Sequence, residues 1–215
     1  MAIDRGQILQ AALDLVDTEG LEGLTMRSLA QALNIQAASL YWHFEHRRAL
    51  LEAMADTMFE NVARKVPDGG WETVVRQVAR EMRAALRARR DGARLFAGTY
   101  PVSENVLRTG DVLISVIKAE GCSPRLAGWA TFSLLYFVLG FVIEEQSIAS
   151  IESDGATTAD TVSARASNFS EAHPAVVDII PAILDEDFDG RFEFGLDLFL
   201  RGLRGYLEDR REPGS

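Results

Sequence analysis

Eighteen consecutive residues, Leu126 to Ile143 (LAGWATFSLLYFVLGFVI), carry no charge. As a helix this run is about 27 Å long, close to the hydrocarbon thickness of a bilayer. The chain must therefore either cross a membrane or surround this helix with protein. The flanks decide between them. Arg125 abuts one end and Glu144 and Glu145 the other, with no basic or aromatic belts. The run predicts a helix buried on all sides, in a core or a dimer interface, and no membrane span.

The remaining segments repeat their apolar residues at helical spacing, and none reads as a strand. Asp4 and Gln7 form a capping box ahead of Ile8, Ala12, Leu15 and Val16, and Gly20 stops that helix. Thr25 caps a short helix, MRSLAQAL, and Asn34 suits a left-handed turn. A second short helix is expected over 37–44 and a long one over 46–65, broken by Pro67 to Gly70. Further helices are expected over 71–89, 103–120, 123–147, 174–185 and from Gly190, with a short helix or turn in DGARLFAGTYP. Residues 149–172, rich in Ser, Thr, Ala and Asp without periodicity, read as a mobile loop. The last helix is too apolar for a one-sided surface helix, so it too is expected at an interface.

At 215 residues the chain can bury a sizeable core as one large or two small domains. Cys122 is the only cysteine, which rules out an intrachain disulfide and fits a reducing, cytoplasmic location. The start, MAIDRGQILQ, lacks the basic and apolar regions of a signal peptide.

A net charge of −10 argues against nucleic acid, but the charge is uneven. Residues 23–48 hold Arg27, Arg47 and Arg48 against Glu45 alone, whereas residues 151–190 hold nine carboxylates against Arg165. A polyanion would meet the first region. There, two short helices joined by a tight turn and braced by a preceding helix make a helix-turn-helix. The second helix of such a unit enters the major groove by its N-terminal end. That end carries Gln36, Ala37, Ala38 and Ser39, small or hydrogen-bonding side chains that allow close approach to base edges. Arg27 starts the first short helix, within reach of a guanine or the backbone.

The stretch GLTMRSLAQALNIQAASLYWHFEHRRALLEAM resembles the DNA-binding domain of the TetR family of bacterial repressors. RRDGARLFAGTYP, FVLGFVIEEQ and FEFGLDLFLRGL resemble segments of the ligand-binding domain in its tetracycline-repressor branch. The resemblance implies an all-α fold: an N-terminal three-helix helix-turn-helix DNA-binding domain (1–46), a connecting helix (47–66) and a C-terminal ligand-binding and dimerisation domain (67–215). It implies a homodimer on a double-stranded operator with two half-sites, released by a small molecule. By the family pattern Arg27, Ala37, Ala38, Ser39, Tyr41, Trp42, His43 and Arg47 face DNA, beside Gln36. The Tyr41 and Trp42 rings are expected along the sugar–phosphate backbone. Phe44, Leu29, Leu33, Leu40 and Leu50 are expected in the core.

In that branch a magnesium–drug chelate is the inducer, bound through a histidine whose place here is Phe96. The drug-contacting polar positions correspond to Ala63, Val78 and Val112, and an aromatic position to Met82; Thr99 is retained, and Glu144-Glu145 matches the acidic pair. These replacements predict no metal and no cofactor. They predict instead a pocket for a hydrophobic inducer, lined by Ala63, Val78, Met82, Phe96, Val112 and either Trp129 or Phe132, with Thr99, Arg94 and Glu144 as polar anchors.

Other classes fit less well. No Gly-rich phosphate loop, nucleophile elbow, HExxH or Cys/His metal set is present, so an enzyme is not expected. An architectural DNA binder would carry a basic face and no large apolar second domain. An activator of the same fold remains the alternative to a repressor.

Overall fold

The structure is a computed structural model and describes residues 3–99, 101–153 and 159–209. Among these residues eleven helices follow in order: α1 (Arg5–Gly23), α2 (Met26–Ala32), α3 (Ala37–Tyr41), α4 (Arg47–Met58), α5 (Trp71–Arg87), α6 (Gly92–Ala97), α7 (Glu104–Lys118), α8 (Pro124–Ser153), α9 (Ala159–Ser167), α10 (Pro174–Ile183) and α11 (Phe188–Glu208). No strand occurs among the described residues. The first helices pack as a small head, α1 against α2 and α4, and α2 against α3. In the body α8 packs on α5, α6, α7 and α11.

Local chemistry sets the boundaries. Asp4 and Gln7 form the expected capping box of α1. Gly20 ends the regular part of that helix at φ 76°, and one kinked turn carries it to Gly23. A Cβ on Gly20 would also lie 3.3 Å from an Asp91 carboxylate oxygen, which adds crowding to a backbone conformation that favours glycine. Thr25 and Ser28 cap α2 reciprocally, and Asn34 takes the left-handed turn at φ 52°.

Three expectations need correction. Helix α3 ends at Tyr41, not Phe44, because the amides of His43 and Phe44 both turn back to the Leu40 carbonyl. Helix α4 ends at Met58, not Lys65. Arg108 of α7 takes the carbonyls of Phe59, Glu60 and Val62, and Glu81 of α5 takes the Ala63 amide, which leaves Ala63 at φ 52°. Residues 149–172 are not one loop. Helix α8 runs on to Ser153, and α9 forms over Ala159–Ser167, with Arg165 suitably placed in its last turn.

Within a single chain the apolar helix is buried on its inner side, which leaves the expected dimer interface as the place for its outer one. Its inner face (Ala127, Leu134, Val138, Val142) is closed by the body, but Trp129, Phe132 and Tyr136 are 59%, 50% and 65% exposed. Beside it, α11 buries Phe192, Leu196 and Leu200 and exposes Phe194 and Leu198. The two helices approach closely at Gly195, where a Cβ would sit 2.6 Å from the Phe137 ring. Their outer faces together form an uncovered apolar surface.

Candidate nucleic-acid interface and effector core

The head's core fixes which side chains face outward. Leu29, Leu40, Phe44 and Leu50 are fully buried, and Leu33 is half-buried beside them. Arg5 places its guanidinium 4.3 Å over the Phe44 ring and donates to the His43 carbonyl at 2.8 Å. It thereby clamps the turn that follows α3. On the outside of that turn Trp42 is 90% exposed and Tyr41 51% exposed. An indole this large, held on a short well-anchored turn and left in water, has no role in the packing of this chain.

Gln36 occupies the N-cap of α3 but makes no capping hydrogen bond, so its amide is free to meet another group. Ala38 is exposed, and Ala37 and Ser39 are half-buried. Arg27 is exposed, with no ion pair or hydrogen bond among the described residues. Gln36, Ala38, Tyr41, Trp42 and Arg27 are thus all accessible on the head; His43 is half-buried at the edge.

Arg47, exposed on the same head, also holds the backbone. Its Nε donates to the Leu24 carbonyl at 3.1 Å and its Nη2 to that of Leu21 at 3.4 Å, so it closes the α1–α2 corner. Arg48 pairs with Glu52 one turn on. His46 caps α4 by accepting the Ala49 amide on Nδ1, at 3.0 Å. Of the head's arginines in this region, Arg27 is the one left without an internal partner.

A polar seam joins head and body. Asp17 accepts from Arg89 at 2.5 Å and from the Arg90 amide at 3.0 Å, and Arg90 donates to the Thr18 carbonyl. Asp91, itself left-handed at φ 55°, accepts the Leu21 amide at 2.9 Å. Burial pushes the Asp91 carboxyl up, but the Leu21 amide and Arg94 outweigh it and hold the group below its ordinary value. Arg94, expected as a ligand anchor, instead bridges Asp91 and Glu22 across this seam.

The expected effector positions divide into two groups. Ala63, Val78, Met82, Phe96 and Thr99 are buried in the body, with Val112 half-buried on α7. Phe96 stacks on Phe59 with ring centres 4.5 Å apart, and the Thr99 hydroxyl donates to the Phe96 carbonyl at 2.8 Å. Trp129, Phe132 and Glu144 do not join them. All three lie on the exposed face of α8, with Arg125 stacked 4.3 Å over Trp129. Within one chain they therefore cannot line a pocket with Met82.

The magnesium chelate implied by the resemblance does not fit these residues. The position of the metal-binding histidine holds Phe96, already stacked. Of the acidic pair, Glu144 faces solvent and Glu145 is buried against Arg83, at 2.8 and 3.1 Å, with Arg87 at 3.4 Å. No group of three His, Cys, Asp or Glu side chains able to hold a metal occurs among the described residues.

Sequence reasoning missed the ion-pair system around Glu145. Arg76, Arg80, Arg83 and Arg87 line one face of α5 and meet Asp189, Glu193 and Asp197 on α11. The matching spacing of three acids on α11 and four arginines on α5 is a signal that could have found it.

The comparisons agree with this geometry. Residues 8–54 match the family model described as "Bacterial regulatory proteins, tetR family", and residues 64–207 match "Tetracyclin repressor-like, C-terminal domain". The class G tetracycline repressor protein of Vibrio anguillarum is 35% identical over 205 residues, covering 93% of each chain. A crystal structure of a possible TetR family transcriptional regulator from Streptomyces coelicolor A3(2) superposes with TM-score 0.83 at 39% identity, covering 94% of this chain and 100% of that one. ActR of Streptomyces coelicolor, solved in complex with actinorhodin, superposes with TM-score 0.83 at 28% identity, over 96% and 99%. The protein belongs to the TetR family of bacterial transcriptional regulators, with the family's DNA-binding head and a tetracycline-repressor-like C-terminal domain.

Proposed function

We propose that the protein is a cytoplasmic, non-catalytic, homodimeric repressor that binds a palindromic operator and is released by a hydrophobic small molecule without a metal. The observation that carries the DNA reading is the turn after α3. Leu40 and Phe44 anchor it inside while Trp42, Tyr41 and the uncapped Gln36 stand in solvent. Gln36 to Ser39 would meet base edges in the major groove, and Tyr41, Trp42 and His43 would lie along the backbone. Arg27 supplies the charge. Two such heads, carried by two subunits joined through α8 and α11, would enter successive major grooves about 34 Å apart.

The effector reading rests on Ala63, Val78, Met82, Phe96 and Val112, apolar where a chelate would need polar ligands, with Thr99 as the polar group among them. A hydrophobic molecule entering between α5, α6 and α7 must favour a state whose heads are wrongly spaced, since only a difference in affinity between two states shifts their balance. The test is a thermal-shift screen of hydrophobic compounds, tetracycline among them, paired with release of bound operator in magnesium and in EDTA. Hits should release operator equally in both buffers. A strict magnesium requirement would overturn the metal-free reading.

A further inference from the structure

The connecting helix α4 ends in a reciprocal clasp with α7. Ser103 holds the N-cap position of α7, yet its buried hydroxyl makes no hydrogen bond. The cap comes instead from Asp56 on α4. One carboxylate oxygen accepts the amides of Asn105 and Val106, at 2.9 and 3.1 Å, and the other accepts the Asn105 side-chain amide at 2.9 Å. In return Arg108 of α7 holds the C-cap of α4 and the turn that follows it. Its Nη2 donates to the carbonyls of Phe59, Glu60 and Val62 at 3.0, 2.9 and 3.1 Å, while its Nη1 donates to Asn105 Oδ1 at 2.8 Å. Thus α4 satisfies orphan amides of α7, and α7 holds the carbonyls of the C-cap and turn that follow α4, tasks that water or local side chains ordinarily perform. The next residue, Ala63, is held by Glu81 of α5.

The clasp sits where a signal must pass. Helix α4 begins in the head, with His46 and Leu50, and ends against α7, which carries Val112. We propose that Asp56, Asn105 and Arg108 are positioning residues that fix the angle of α4, and through it the spacing of the two reading heads, to the position of α7. The inference rests on the dimeric DNA-binding reading above. Because every bond in the clasp is directional and several are charge-assisted, α7 cannot shift without carrying the end of α4 or breaking the clasp. A packed apolar contact would allow sliding.

The experiment needs no effector. The wild-type protein selects its duplex from a random library; the same half-sites are then moved apart or together by one and two base pairs. The wild-type protein should lose on the order of ten-fold in affinity at the altered spacings, because each base pair turns one groove relative to the other. Asp56→Ala with Arg108→Ala should reduce that discrimination to about three-fold or less, as heads no longer held at one angle tolerate other spacings. Arg108→Lys keeps the charge without the fork and should fall between; it serves if the double variant is not folded by circular dichroism at the assay temperature. A purely structural role would lower the melting temperature and weaken all spacings alike. An unchanged spacing ratio in these variants, or no spacing preference in the wild type, overturns the proposal. Failure of the wild type to select any duplex instead overturns the DNA-binding reading itself.

Discussion

Trp42 and Arg47 lie five residues apart, both exposed, and differ in what the rest of the chain takes from them. Trp42 makes its chain no more compact, so Trp42→Ala should leave thermal stability unchanged and weaken operator binding on the order of ten-fold per half-site. Unchanged affinity in a gel shift would remove it from the interface. Arg47 also serves the fold: Arg47→Ala removes the side-chain donor to the Leu24 carbonyl and leaves the Leu21 carbonyl with the Leu24 amide alone, and should cost about 1 kcal/mol of head stability, read as a lower melting temperature. Arg27 is the unpartnered cation. Its loss from both subunits should reduce the slope of log affinity against log salt by about 2, with similar weakening on every sequence. An unaltered slope would mean that it does not meet phosphate.

At the scale of elements, α5 buries Val75, Val78, Met82 and Leu86 in the body and adds ion pairs to α11 and α8. Glu72, Asp189, Glu193 and Asp197 are each held below their ordinary carboxyl values, chiefly by hydrogen bonds from Arg204, Arg83, Arg80 and Arg76 respectively. A depressed carboxyl stabilises the fold above its unfolded value and ceases to do so as pH falls through the folded value. Melting temperature should therefore stay level from neutrality to about pH 5 and fall below about pH 4. In Arg76→Gln with Arg80→Gln the melting temperature at neutrality should be lower and its acid decline shallower, because Glu193 and Asp197 lose the partners that depress them; an identical profile would show that the ladder adds nothing. The Arg83–Glu145 pair is different because both side chains are about nine-tenths buried. Glu145→Leu leaves a buried guanidinium whose remaining carboxylate partner is the exposed Asp189, and chemical denaturation should show a loss of about 3 kcal/mol.

These elements also mark how far the sequence could be read. Helix starts with local caps, at Asp4 and Thr25, were legible, and so was the left-handed Asn34. The buried set of the head and the apolar body of the pocket positions followed from spacing and resemblance. The end of α4 was not legible, because what terminates it is Arg108, 46 residues from the Val62 carbonyl it holds. Residues 149–172 failed for another reason: Ser and Thr lower helix propensity only weakly, and the alanines of α9 offset them. Trp129 and Phe132 were placed in the pocket because helical periodicity gives the face of a residue but not which face meets the body.

For the whole molecule, the apolar outer faces of α8 and α11 are the surface that the dimer reading requires. Tyr136→Glu with Phe194→Glu places charges on that surface and should yield monomers by sedimentation, with the fold retained. Removal of α11 from Gly190 onward should give monomers or soluble aggregates. A stable dimer in either case would place the interface elsewhere. Dimerisation would also make DNA affinity steeply dependent on protein concentration, since one head reads only half a site. The most direct measurement of the central claim is a gel shift, over a salt series, on the duplex the full-length protein enriches from a random library. The predicted result is a palindrome bound by two subunits, with affinity falling as salt rises. Enrichment of no duplex, at any salt concentration, would contradict it.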